Sequence, residues 1–287
     1  MAVRELLDSS PEEKRSQILN FLIFHEEKCV SLVSRFLKKD AKIFYIPDSL
    51  NEEKILAVFS YSAGGQILHC FDFTDKNQAD KIHSELTVHF KKNPVNNLFS
   101  IIGESSGTNF LTEFFFNIYG VLPETTIDYS LMKYYSNQKK IDFPYQYRII
   151  QCTEEDLENV FPLQKKYELE EVVVDKSTYK EKNTRIILQR ALKSRDVFAM
   201  SLDGKNFVSK LSFNAKGINC IQLGGIYTDE AFRNRGIAGF FVKNICDKIL
   251  GERKTPVLFV KNKNSIAFNV YKNCGFEVFG EYKIVYY

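Results

Sequence analysis

What most limits the folds open to this 287-residue chain is an order of elements that occurs twice. Apolar stretches with strand-like alternation are separated by stretches of helical spacing, and each half closes on strand–helix–strand–helix–strand. In the first half, residues 12–38 have the spacing of a helix, with Ile18, Phe21, Leu22, Val30, Leu32, Val33 and Leu37 on its apolar positions. Strands are expected at 42–46, 55–61 and 66–72, with Gly64-Gly65 as a hairpin signal between the last two. A helix at 77–91, a strand at 98–103, a helix at 107–118 and a strand at 127–132 follow. The segment YYSNQKKIDFPYQY breaks the periodicity and carries Pro144, so the domain boundary is expected there, between residues 1–135 and 145–287.

The second half begins with a strand at 147–152. Thr153 is placed to cap the next turn, and Glu154, Glu155 and Asp156 suit a helix start. Helices at 154–167 and 178–194 precede strands at 197–202, 207–213 and 218–228, with turns at Asp203-Gly204 and Lys216-Gly217. A helix at 235–250, a strand at 257–261, a helix at 264–273 and a strand at 276–286 complete it. The fold class is therefore α/β with a mixed sheet, and two related units in tandem are expected.

Composition narrows the chemistry. Hydrophobic residues at 44% and charged residues at 26% describe an ordinary globular chain, and a net charge of +3 does not suggest nucleic-acid binding. No stretch is long and apolar enough to span a membrane, and the first residues lack the pattern of a secretory signal, so a cytoplasmic protein is expected. The six cysteines are scattered without a C-x-x-C pair, which suits reduced thiols and gives no zinc site; no metal is expected. All four histidines lie before residue 90, so the second half cannot build a Ser-His or Cys-His site from its own residues.

The informative stretch is INCIQLGGIYTDEAFRNRGIAG, residues 218–239. A strand runs through Thr228 into Arg233-Asn234-Arg235-Gly236-Ile237-Ala238-Gly239 and directly into a helix. The small residues let the backbone approach a ligand, and the first helical amides have no partners within the helix. That end of a helix suits a phosphate or pyrophosphate, with Arg233 and Arg235 adding charge. The loop is neither a P-loop nor a dinucleotide fingerprint. Mid-strand Gly224-Gly225 suggests a bulge, or else a close sheet–helix contact. Asn264 and Tyr271 lie seven positions apart on one expected helix and so share a face.

Arg233-Asn-Arg-Gly236-Ile-Ala238 fits the Q/R-x-x-G-x-G/A loop of the GNAT superfamily of acyl-CoA N-acyltransferases. Asn264-Ser-Ile-Ala267-Phe-Asn-Val-Tyr271-Lys-Asn-Cys-Gly275-Phe276 resembles its N-x-x-A-x-x-x-Y-x-x-x-G-F ending. The resemblance covers 147–287 well and 1–135 only as an order of elements. It implies a GNAT-like fold, with a degenerate first unit, and an acetyl-CoA-dependent N-acetyltransferase acting by direct attack of a primary amine. It also implies that the strand end at Ile226, Tyr227 and Thr228 pairs with the pantetheine arm, that residues 233–239 hold the pyrophosphate, and that Asn264 holds the arm. Tyr271 would protonate the departing thiolate, though packing against Phe268 and Phe276 is the other reading. For the general base, Glu170 and Glu171 are the candidates, and Gln222 cannot serve. A catalytically silent CoA-binding or regulatory module and a tandem-unit aminoacyl or peptidyl transferase are the rivals. The acceptor, the acyl chain length and the oligomeric state stay open, and neither nucleic acid nor membrane is expected as a partner.

Overall fold

The computed structural model describes residues 3–48, 51–73, 76–95, 97–135, 143, 146–173, 175–201 and 206–287. Pro144 and the turn at Asp203-Gly204 lie outside them. The first part of the chain forms β1 (Arg4–Glu5), α1 (Glu12–Phe24), α2 (Glu26–Lys38), β2 (Ile43–Pro47), β3 (Ile55–Tyr61) and β4 (Gln66–Phe71). It continues through α3 (Lys76–Lys92), β5 (Ser100–Glu104), α4 (Ser105–Tyr119) and β6 (Thr125–Tyr134). Then come β7 (Arg148–Gln151), α5 (Leu157–Tyr167), α6 (Glu181–Lys193), β8 (Val197–Ser201), β9 (Phe207–Lys216) and β10 (Cys220–Thr228). The chain closes with α7 (Ile237–Gly251), β11 (Thr255–Lys261), α8 (Ser265–Cys274) and β12 (Phe276–Tyr286).

The expected strands and helices are present, but 154–167 opens with a 3-10 turn at Glu154–Asp156 before α5. Residue 202 of the strand expected at 197–202 lies outside the described residues. One expected helix is divided. The stretch 12–38 forms two helices, because the chain leaves helical geometry at His25 (φ −104, ψ 11). The break turns Glu26 toward the second half, where its carboxylate accepts bonds from the backbone N–H of Asn219 and Cys220 at 2.9 to 3.0 Å. Those amides satisfy a carboxylate that is buried between the halves.

All described strands join one sheet, in the order β1-β2-β3-β4-β5-β12-β6-β11-β10-β9-β8-β7. The two ends of this order are mirror arrangements. In each, one parallel pair holds for three register positions and then parts: β4 with β5 ends at Leu68–Ile102, and β10 with β11 ends at Gln222–Val257. The strand beside each pair comes from the other half. β12 lies against β5, β6 lies against β11, and β6 and β12 pair with each other over residues 125–134 and 276–286. Backbone bonding therefore runs unbroken between the halves.

Helices cover both faces. On α7, Ile237, Phe241, Ile245 and Ile249 recur every four residues and are all buried, so one stripe of the helix packs on the sheet. Burial of each such side chain contributes about 1.5–3 kcal/mol. Val30 of α2 packs with Ala215, Cys220 and Val257, which makes a small apolar cluster shared by the two halves. In the first unit, a cavity of about 240 Å³ remains past Leu68, with Phe71, Asp72, Glu104 and Ser106 in its lining. The His69 ring enters it, bonds Thr108 of α4 at 2.9 Å, and lies where side chains at Gly103 and Gly107 would stand. No helix among the described residues is long and apolar enough to cross a membrane.

Candidate active site

In the second unit the corresponding opening is bounded by β10, β11, the start of α7 and the acidic turn after α5. Past Gln222 and Val257 no strand among the described residues continues the parallel ladder, so the β11 side of residues 223–228 is left to other partners. The same segment carries irregular pairing with β9 between Gly224 and Tyr227, and Gly225 sits at φ +56. The mid-strand glycines thus mark a bulge, since only glycine takes that conformation in a strand without strain.

The loop turns tightly. Asp229 accepts a bond from the Ala231 N–H at 3.1 Å and caps a short turn over Glu230–Phe232. Asn234 (φ 62) and Gly236 (φ 73) are both left-handed, which winds the chain into the helix start. The first helical bond closes from the Phe240 N–H to the Gly236 carbonyl, so the amides of Ile237, Ala238 and Gly239 precede the helix's own bonding. Apart from its two chain neighbours, no atom of the described residues lies within 4 Å of where a Gly236 side chain would begin. Open space, unpaired amides and the positive end of the helix dipole suit a phosphate group.

The two arginines of the loop are folded back onto the protein. Arg233 donates to the Thr228 carbonyl at 3.1 Å and to Glu170 at 2.8 Å, with its guanidinium 5.2 Å from the Tyr227 ring centroid. Arg235 donates to the Ala231 carbonyl at 3.1 Å and lies over Phe232.

Glu168–Val172 forms a wide, π-type turn, and its three acids reach three different elements. Glu168 accepts from Gln164 at 2.8 Å and from Thr184 of α6 at 2.5 Å. Glu170 accepts from Arg233 and, at 2.6 Å, from the Tyr227 hydroxyl. Burial pushes the Glu170 carboxyl up, but these two donors outweigh it and hold it below its ordinary range. Glu171 accepts from the Asn264 side-chain amide at 3.2 Å and lies 3.5 Å from Lys261. The turn therefore crosses the opening from the end of β10 to the end of β11.

Asn264 also caps α8, accepting from the Ala267 N–H at 3.0 Å. Tyr271, nearly two turns on, is buried with its ring 6.0 Å from Phe276. Burial, and then the neighbouring Tyr167 and Glu171, raise its hydroxyl above the ordinary tyrosine range, which keeps it protonated. Ile226 and Thr228 are half-buried at the strand end, and the Thr228 hydroxyl meets Ser209 at 3.0 Å. The structure thus brings Tyr227, Arg233 and Glu170 into one cluster, Glu171 and Asn264 into a second, and leaves Tyr271 deeper in the core. Gln222 is buried beneath the first half, where Ser31 donates to it at 3.3 Å.

Two neighbours escaped the sequence reading: Lys210 and Tyr167. Lys210 is fully buried, and its ammonium donates to the Gly225 carbonyl at 2.7 Å over the Tyr167 ring. The available signal was a lysine inside VSKLSF, a strand that helices must cover on both faces.

This architecture is GNAT-like, with two such units sharing one sheet. Residues 219–285 match the model of the FR47-like protein family. Among solved structures, a Drosophila protein is similar at 13% identity and TM-score 0.69, covering 99% of this chain and 98% of its own. A GNAT-family acetyltransferase from Colwellia psychrerythraea follows the whole of both chains at 9% identity and TM-score 0.62. A tandem GNAT protein from the clavulanic acid biosynthesis pathway gives 9% identity and TM-score 0.56, over 99% of this chain and 97% of its own. No curated protein matches the sequence. The resemblance read from the loop and the Asn264–Phe276 segment is borne out for the fold.

Proposed function

We propose that this protein is an N-acyltransferase that moves an acetyl group from acetyl-CoA to a primary amine within a ternary complex. The observation that carries the reading is the parting of β10 from β11 after Gln222–Val257, directly beside the open amides at the start of α7. An extended arm fits the unpaired strand edge at Ile226–Thr228, and a pyrophosphate fits the turn at residues 233–239. The names of two structural neighbours, both acetyltransferase or tandem GNAT proteins, support the same reading.

Acetyl-CoA supplies an activated thioester. The chain's residues then have separate tasks. The amides of Ile237, Ala238 and Gly239 hold the phosphates, joined by Arg233 when it leaves Glu170 and by Arg235. The bulge presents a backbone N–H to the thioester carbonyl oxygen, where negative charge develops as the amine attacks. Tyr271 gives its proton to the departing sulfur as the C–S bond breaks and the C–N bond forms. Glu171 takes the proton that the amine loses, directly or through one water, while Glu170 is kept by Tyr227 and Arg233. Glu171 is preferred as base because its partners, Asn264 at 3.2 Å and Lys261 at 3.5 Å, are longer than the Tyr227 and Arg233 bonds that hold Glu170. Calorimetric titration with acetyl-CoA tests the coenzyme site: one site per chain is expected, and no heat of binding to the folded protein would remove the reading.

A further inference from the structure

Lys210 stands in the middle of β9, opposite Tyr227 in the ladder and beside the irregularity that follows Gly224. Among the described residues no carboxylate forms an ion pair with it. Glu168 acts on it only from a distance, and both Glu168 oxygens are already bonded. An ammonium buried without a counter-charge is unfavourable, and an apolar side chain of similar length would fill the same space without that penalty. What the lysine adds is a cation over the Tyr167 ring, 4.7 Å from its centroid, and a hydrogen bond from Nζ to the Gly225 oxygen at 2.7 Å.

That oxygen belongs to the peptide unit whose N–H is that of Ile226. A donor on a peptide oxygen polarises the unit and strengthens its N–H as a donor, most of all when the first donor is charged and dry. The same unit lies in the stretch of β10 that β11 has left. We propose that Lys210 is a positioning residue for acyl transfer, gripping the Gly225 carbonyl so that the Ile226 N–H is fixed and polarised toward the thioester oxygen. This rests on the acyltransferase reading above. Lys210 exchanges no proton in the step: the amine nitrogen bonds to the carbonyl carbon, the C–S bond breaks, sulfur takes the Tyr271 proton, and Glu171 takes the amine's.

Burial lowers the Lys210 pKa to about 7, opposed in part by Glu168 and Cys152. The groups facing it are Tyr167 and Glu168 from α5 and the turn after it, Cys152 from the end of β7, and Tyr227 across the ladder. Burial pushes Cys152 and Tyr167 each up to about 12, and burial and Glu170 raise Tyr227, so these three stay neutral. The charged grip is therefore present below pH 7 and fades above it.

The test compares full-length wild type, Lys210→Met and Lys210→Arg by steady-state kinetics across pH 7, with acetyl-CoA affinity and melting curves beside them. Lys210→Met is expected to lower kcat about tenfold, less than loss of a whole oxyanion donor, while acetyl-CoA affinity stays within about twofold. Lys210→Arg, always charged, is expected to remove the decline in kcat above pH 7. A folded methionine variant with wild-type kcat would overturn the proposal. Should that variant not fold, the arginine variant decides: a profile identical to wild type overturns it, and a lost inflection supports it. A folded wild type that binds acetyl-CoA but acylates no amine would remove the acyltransferase reading instead, and Lys210's role with it.

Discussion

Glu170 and Arg233 meet at 2.8 Å across the mouth of the opening, with the Tyr227 hydroxyl on the other Glu170 oxygen at 2.6 Å. The guanidinium nearest the pyrophosphate turn is thus neutralised by a carboxylate before any ligand arrives. Glu170→Gln keeps the shape and removes the charge. Because the pair is partly exposed, it is worth no more than about 1 kcal/mol, so acetyl-CoA is expected to bind about two- to fivefold tighter. Calorimetry at two salt concentrations checks it. Weaker binding in the variant would mean that Glu170 holds the loop in its binding shape.

Gly236 separates steric from electrostatic effects in the same loop. Its surroundings are open, so a new side chain meets strain from φ 73 and the field of the ligand, not a neighbouring atom. Asparagine tolerates left-handed geometry, whereas aspartate adds a negative charge beside the phosphates. Gly236→Asn is expected to fold and lose about tenfold or less in acetyl-CoA affinity, and Gly236→Asp at least a further tenfold. Equal affinities in the two variants would remove the anion site from this turn.

The two halves should unfold as one body. Glu26 is buried, and its carboxylate satisfies the Asn219 and Cys220 amides across the join. Glu26→Ala strands those donors, at an expected cost of about 2–3 kcal/mol. Denaturant unfolding is expected to show a single transition moved to lower concentration. Two separated transitions, with only one moved, would contradict the continuity of the β6–β12 pairing as the source of cooperativity.

Stability should also carry the mark of His69. Burial lowers its pKa to about 3, against 6.5 when exposed. Between those values the unfolded chain binds a proton that the folded chain refuses, so stability falls as pH drops from 6.5 toward 3 and is unaffected by this group above 6.5. Each unit of that difference corresponds to about 1.4 kcal/mol at most. Melting temperatures of wild type and His69→Gln across this range are the check. Parallel curves would place the acid sensitivity elsewhere.

Much of this was legible in the sequence, and the reasons differ by element. Strands such as 55–61 were readable because the apolar run ILAVFSY is short, rich in β-formers and followed by the Gly64-Gly65 turn, which suits a strand covered on both faces. The loop was readable because Arg233, Gly236 and Ala238 must serve local backbone geometry, and local geometry is written in consecutive residues. The exchange of β6 and β12 was not, since pairing partners far apart in the chain leave no mark on either strand's pattern. The split at His25 was hidden for the same reason: the residue after it, Glu26, meets residues nearly two hundred positions away. Lys210 went unnoticed because its importance lies in one bond to a bulge, not in any spacing of its own.

The central claim is amine acylation at this opening, and release of free thiol from acetyl-CoA across a panel of primary amines measures it directly. Wild type is expected to release thiol with at least one amine class. Tyr271→Phe, which keeps the ring against Phe276, is expected to lower kcat and kcat/KM together by about a hundredfold with its melting curve unchanged. Wild-type turnover in the phenylalanine variant would contradict the proton donor. Absence of thiol release from folded, acetyl-CoA-bound wild type with every amine would contradict the enzyme itself.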